Sequence, residues 1–291
     1  MYPSRFQYES PTSVAEAITL LARGEGEAKV LAGGQSLVPM MKLRFANPVT
    51  VIDINNIPGL DYIRADSDGT LRIGALVRHA DMERSSLIAS TQPTLAAAAP
   101  LVADPIVRTR GTFVGSVCHA DPQGDWAATL LALGGSIVAE GPKGRRTVPV
   151  AEFVKGPFQN VLSYDELAVE AVVPAPRGVR AGGYLKLERR VGDFATASVA
   201  IALELSGGSV VRSGIALAAV GGSTIDASDA SAALVGGPLT ADRIARAAEL
   251  AAAVAQPRSD HRGSASYKRH VVNTFVVRIL ESIVQSNKEA A

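Results

Sequence analysis

Ala32-Gly33-Gly34-Gln35-Ser36 follows directly on a short apolar run, and a second glycine-bearing loop, Gly111-Thr112-Phe113-Val114-Gly115-Ser116, lies further along the chain. Adjacent glycines let the backbone curl so that several N–H groups point one way. The lack of side chains then lets a pyrophosphate come within hydrogen-bonding distance. Neither loop is a standard nucleotide signature. No Gly-Lys-Ser/Thr follows the first, and it is not a G-x-G-x-x-G turn. Taken alone, Gly-Gly is more simply an ordinary tight turn. The second loop raises the odds, with Ser116 and then His119-Ala120-Asp121-Pro122-Gln123-Gly124-Asp125 behind it.

The flanking elements have readable periods. Ser13-Val14-Ala15-Glu16 fits a capping box, Val14, Ala17, Ile18 and Leu21 fall on one helical face, and Gly24 fits a stop. Strands are expected over 29–32, 50–54 and 70–75, and a helix over 94–102. Asp125 is read as the N-cap of a helix over 126–133, closed by Gly134-Gly135. A hairpin is expected over 136–150 and a further strand over 167–173. Pro174-Ala175-Pro176-Arg177-Gly178 is the linker candidate. Beyond it, strands over 183–190, 196–205 and 210–220 precede helices at about 241–255 and 264–284. This order predicts an α+β domain packed in two layers. The expected division is 1–177, with subdomains of about 1–55 and 56–177, followed by 178–291.

Composition limits the function. Apolar residues make up 47% of the 291, charged residues 20%, and the net charge is +1. That supports a sizeable core and argues against nucleic acid or a charged membrane surface as partner. One cysteine, Cys118, excludes an internal disulfide framework and any zinc or iron–sulfur site built from the chain's own thiolates. It reads as an inert buried thiol. No uninterrupted apolar stretch reaches spanning length, so a cytoplasmic protein is expected, with the inner face of the membrane as an alternative.

The reactive side chains form no complete set. His119 sits beside Cys118 and close to Asp121 but lacks a third element. Ser36 is not in a G-x-S-x-G elbow. His79, His261 and His270 are isolated and read as surface or helix-end residues. Lys268-Arg269-His270 reads as a solvated helix face or a subunit contact. Lys186, Arg189 and Arg190 read as a charged strand edge, from which one could reach a cofactor phosphate or ring. Phe194 is either core or cover for a planar ring. No catalytic residue and no metal ligand is expected. The chain looks built to hold something planar and phosphorylated.

Over nearly its whole length the chain resembles the flavin-binding medium subunits of the molybdenum hydroxylases, the xanthine dehydrogenase and carbon monoxide dehydrogenase family. Residues 31–42, Leu31-Ala32-Gly33-Gly34-Gln35-Ser36-Leu37-Val38-Pro39-Met40-Met41-Lys42, are similar to the family's first flavin loop. Ala103-Asp104-Pro105 and Arg110 to Ser116 are similar to its second. Lys186 to Ala197 resembles the carbon monoxide dehydrogenase branch, and Ser259 to Tyr267 the C-terminal motif. The resemblance implies an α+β architecture of the vanillyl-alcohol-oxidase (PCMH-like) type for FAD, with two α/β subdomains and a C-terminal α+β domain. It implies that Ala32, Gly33, Gly34, Gln35, Ser36 and Leu37, with Thr112, Phe113, Val114, Gly115 and Ser116, line the FAD diphosphate. Val102 and Ala103 would lie along the cofactor, and Asp125 would meet the ADP ribose. Leu167 would pack near the adenine, Lys186 near the flavin and Phe194 by the isoalloxazine. The family's second loop usually reads Thr-Ile-Gly-Gly, whereas Val114 stands at the third position here. The expectation is a changed loop path or a looser contact.

The resemblance also implies partners. A large subunit would carry the molybdenum cofactor and a small one [2Fe–2S] clusters, in a dimer of heterotrimers. Electrons would pass through FAD to an external acceptor such as a quinone, oxygen or NAD. A carbon monoxide dehydrogenase is favoured. Flavin subunits of purine, N-heterocycle or aldehyde hydroxylases, a stand-alone flavin oxidase, and a non-redox binding protein are the alternatives.

Overall fold

The computed structural model describes residues 2–289, and of 287–289 only the helical backbone. The N-terminal sheet is parallel, in the order β1-β3-β2, formed by β1 (Gln7–Glu9), β2 (Ala28–Leu31) and β3 (Thr50–Asp53). The helix Val14–Arg23 links β1 to β2 and buries Ala17, Ile18 and Leu21, the stripe expected from the sequence. Ser13 caps it, accepting from Glu16 N at 3.2 Å. The other half of the capping box shifts by one residue, because the Glu16 carboxylate accepts from Thr12 N at 2.8 Å. Gly24 ends the helix at φ −76, and the left-handed step falls on Glu25 and Gly26.

The second sheet is antiparallel. Its strands are β4 (Ile63–Ala65), β5 (Leu71–Gly74), β6 (Ser136–Gly141) and β7 (Gly144–Pro149), joined after a small ribbon of β8 (Val154–Gly156) and β9 (Gln159–Asn160) by β10 (Leu167–Val173). The order is β4-β5-β10-β6-β7. Central β10 is buried at Leu167, Ala168, Val169, Glu170, Ala171 and Val173, so both of its faces are covered. The helices Pro93–Ala98, Phe113–His119 and Asp125–Ala132 lie between this sheet and the next.

The third sheet is an antiparallel meander of β11 (Val179–Leu187), β12 (Ala197–Ser206), β13 (Ser209–Ala218) and β14 (Ile225–Asp226). Strand alternation sorts its residues between two cores. Ala200, Ala202, Ala216 and Ala218 face the first core, where small side chains let the helices approach closely. Val199, Ile201, Leu203, Ile215 and Leu217 face the second, beneath the helices Ala241–Val254 and Ala265–Glu289. Pairing with β12 extends β11 back to Val179, four residues before the expected start. A further helix, Ser228–Leu234, lies in the alanine-rich stretch 227–255, whose composition favours helix.

Candidate functional site

Strand β2 delivers the chain to Gly33, Gly34 takes φ +74, and the helix Leu37–Lys42 begins at once. Among the described residues, none of the backbone N–H groups of Gly33, Gly34, Gln35, Ser36 and Leu37 donates a hydrogen bond. All five residues are partly or fully exposed, so their consecutive free donors are open to an external acceptor, as in an anion-binding nest. No acidic residue stands in the first turn of Leu37–Lys42 or of Phe113–His119 to compete for that role. A cavity of about 300 Å³ opens along the first loop, and Lys42, Asn55 and Arg110 complete its wall. Lys42 and Arg110 belong to the two loop motifs, whereas Asn55 went unremarked in the sequence because only the fold brings it to them.

The second loop touches the first. A Cβ placed on Gly33 would lie 2.3 Å from Arg110 O and 2.6 Å from Gly111 Cα. Thr112 caps the helix Phe113–His119 through Gly115 N at 3.2 Å. Phe113 sends its N–H to Val77 O at 3.0 Å and its ring into the core against Trp126. It therefore holds the loop and offers neither side chain nor N–H to a ligand. Val114 answers the question raised by its position. It is helical rather than left-handed, and its side chain is buried in the core. No glycine is needed there for backbone conformation. The N–H of Val114, near the start of the helix, has no intrahelical partner.

His79 lies beneath this contact; it starts the helix His79–Arg84, the helix-end place expected of it, but it is not at the surface. It is buried, accepts from Trp126 Nε1 at 2.9 Å through Nδ1, and places Nε2 where a Cβ on Gly111 would fall. Burial, helped by the cations of Arg108 and Arg78, pushes its imidazole down to about 4. The unfolded chain therefore takes up the proton first. Stability is full above about pH 6.5 and falls by about 3 kcal/mol as the pH drops to about 4. Replacement His79→Gln is expected to flatten this acid limb in thermal melts taken across that range. An unchanged slope would show that the limb has another origin.

The side chain of Lys186, on β11, is almost wholly buried. Its Nζ donates to Leu101 O at 2.9 Å and lies 3.4 Å from Asp125 Oδ2 and 3.5 Å from Glu188 Oε2. Asp125 is not the helix cap expected from the sequence. Gly124 occupies that position, and the Asp125 carboxylate turns inward to accept from Tyr184 Oη at 2.5 Å as well as from Lys186. Burial raises its pKa, opposed chiefly by Lys186. Val102 and Ala103 adjoin this pair. Ala103 is left-handed at φ +51, and Arg108 Nη1 holds the segment through the carbonyls of Pro100, Val102 and Ala103. Leu167 is buried at the start of β10, the strand on which the helix Phe113–His119 packs.

Phe194 is about half exposed on a turn whose Gly192 abuts Ala103. Arg262 holds that turn, donating to Phe194 O at 2.7 Å and pairing with Asp193 at 3.3 Å. Lys268 is not solvated as expected. It is buried and bonded to Arg258 O and Asp260, which fixes the segment that carries Arg262. Cys118 is the inert thiol expected, with burial pushing it up to about 12. Among the described residues no cluster of potential ligands could hold a metal.

A row of free donors, a left-handed glycine and a loop contact too close for any Cβ form a cradle suited to a diphosphate. The comparisons agree. Residues 4–176 match the family model for the FAD binding domain in molybdopterin dehydrogenase, and residues 183–283 that for the CO dehydrogenase flavoprotein C-terminal domain. The chain is 42% identical to the carbon monoxide dehydrogenase medium chain of Hydrogenophaga pseudoflava, over 97% of this chain and 98% of that one. It is 34% identical to the glyceraldehyde dehydrogenase medium chain of Sulfolobus acidocaldarius, over 97% and 100%. Its structure is similar to a chain of the H. pseudoflava carbon monoxide dehydrogenase lacking the Mo-pyranopterin moiety, with a TM-score of 0.93, 43% identity and coverage of 98% and 99%. The architecture is the PCMH-like FAD fold with a C-terminal α+β domain, and FAD is its cofactor. The chain belongs to the family of FAD-binding medium subunits of the molybdenum hydroxylases, and is thus a flavoprotein subunit of an oxidoreductase.

Proposed function

We propose that the chain is an electron-transfer subunit that takes electrons from the [2Fe–2S] clusters of a small partner and passes them to an external acceptor, a quinone, oxygen or NAD. The electrons would originate at a molybdenum cofactor on a large partner, and two such trimers would pair. The row of free N–H groups from Gly33 to Leu37, set against the second loop, carries this reading. FAD supplies the redox chemistry when bound, and the protein supplies binding, orientation and electrostatic tuning. Ala32 to Leu37, with Thr112 and Val114 to Ser116, hold the diphosphate. Phe113 supports them from behind. Val102 and Ala103 line the cofactor, Asp125 and Leu167 serve its adenosine half, and Lys186 and Phe194 its flavin half.

The extents of the three sheets support a boundary near 177 and 178, with the first division near 55. Among the described residues no helix is long and apolar enough to cross a membrane, and a cytoplasmic location is in keeping with that. Identity to the carbon monoxide dehydrogenase medium chain favours carbon monoxide as the substrate of the large partner. Co-expression with the products of the neighbouring reading frames tests the assignment. The expected result is one flavin per copy of this chain in a complex that also contains iron and molybdenum. A flavin-free complex, or full oxidase activity of the chain alone, would overturn it.

A further inference from the structure

We propose that Asn55 and Arg78 form a strut that presets the two FAD loops against each other before the cofactor arrives. The proposal rests on the assignment of those loops to the FAD diphosphate. Asn55, just after β3, donates from Nδ2 to Ala32 O at 2.8 Å. Arg78 donates from Nη1 to Arg110 O at 2.7 Å and from Nη2 to Asn55 Oδ1 at 2.5 Å. Two side chains therefore join the carbonyl before Gly33 to the carbonyl before Gly111, the same two glycines that meet too closely for a Cβ.

The planarity of the peptide gives this consequence. In a trans peptide the C=O and the following N–H point in opposite directions. Tying Ala32 O to Asn55 therefore aims the N–H of Gly33 away from Asn55, at the head of the row of free donors. The strut is itself oriented. Asp53 Oδ1 accepts from Asn55 N at 3.0 Å and from Nδ2 at 2.5 Å, and Tyr8 Oη donates to Asp53 Oδ2 at 2.7 Å. The backbone N–H of Arg78 is anchored on Asp81 at 3.0 Å. Burial and the neighbouring Arg110 cation work against a charge on Arg78, lowering its pKa. A guanidinium kept in such a place is offset by its two charge-assisted hydrogen bonds.

The test uses the chain purified with the subunits it assembles with, and reads FAD affinity by flavin fluorescence after stripping and refilling. Asn55→Ala and Arg78→Ala are each expected to weaken FAD binding roughly 10- to 100-fold, because each breaks the same bridge. The double variant should be no weaker than the worse single variant, since one bridge cannot be lost twice. Melting of the FAD-free protein separates this from general destabilisation and should move by only a few degrees. Arg78→Lys guards against misfolding. It keeps the charge, yet one ammonium cannot reproduce the two-nitrogen bridge between Arg110 O and Asn55 Oδ1, so it too should bind FAD weakly. Unchanged affinity in the variants, or losses that multiply in the double variant, would overturn the strut. A parent protein that takes up no FAD would instead remove the loop assignment beneath it.

Discussion

Gly33→Val is expected to abolish FAD binding, leaving a chain with no visible flavin absorbance after purification and refilling. The reason is steric rather than chemical. The Cβ would stand 2.3 Å from Arg110 O, and all three nearest atoms are backbone, which cannot swing aside as a side-chain tip would. The loops must part, which breaks the alignment of donors on which a diphosphate depends. Removing a single well-placed donor costs about 1–3 kcal/mol, and displacing several together removes binding altogether. Gly34→Ala provides the graded comparison. Its Cβ would meet only the side chains of Leu31 and Val38, at 3.0 and 3.3 Å, but its φ of +74 disfavours any L side chain. A loss of about 1 kcal/mol in stability is expected, with FAD retained at reduced affinity. Circular dichroism of both variants checks that the fold survives. Full flavin content in folded Gly33→Val would show that the cradle lies elsewhere.

Much of this was legible in the sequence, because the relevant signals are local. The helix Val14–Arg23 has a cap, an apolar stripe and a stop within one stretch. The hairpin of β6 and β7 falls within the expected 136–150 and turns between Gly141 and Gly144. The glycine loops could be seen because glycine is itself a statement about the backbone. Two of the misreadings share one cause, a partner distant in sequence. Asp125 looked like a cap because the residues that claim its carboxylate, Tyr184 and Lys186, lie 59 and 61 positions away. His79 looked superficial because Trp126 is 47 positions away. Lys268 has a different cause, since its partners Arg258 and Asp260 are local but its burial is set by the packing of the last helix. Val114 shows the converse. A family pattern of glycine there need not reflect a demand for positive φ, because the observed backbone at 114 is helical and any residue suited to the core satisfies it.

Lys186→Met should be the most destabilising of the charge deletions. The Asp125 carboxylate would stay buried with Tyr184 as its one remaining hydrogen-bond donor, and stranding a buried charge costs about 3–5 kcal/mol. The pH dependence identifies the cause. Burial already raises the Asp125 pKa above its unfolded value, and Lys186 is the largest influence opposing that rise. Without the lysine the native carboxyl holds its proton still more firmly than the unfolded chain does. Stability is then full below the unfolded pKa, falls as the pH climbs towards the raised native one, and is flat above it. The variant should therefore lie closest to the parent in acid and furthest from it at neutral pH, as read by denaturant unfolding at several pH values. Equal penalties at every pH would mean that lost packing, not a stranded charge, is responsible. Asp125→Asn with Lys186→Met removes two of the three charges, leaving Glu188 without its cation, and should recover part of the stability. The same double variant separates architecture from cofactor binding. If Lys186 serves only the fold, flavin affinity recovers with stability. If it also acts at the flavin, as its place in the family pattern implies, stability returns while FAD remains weakly held.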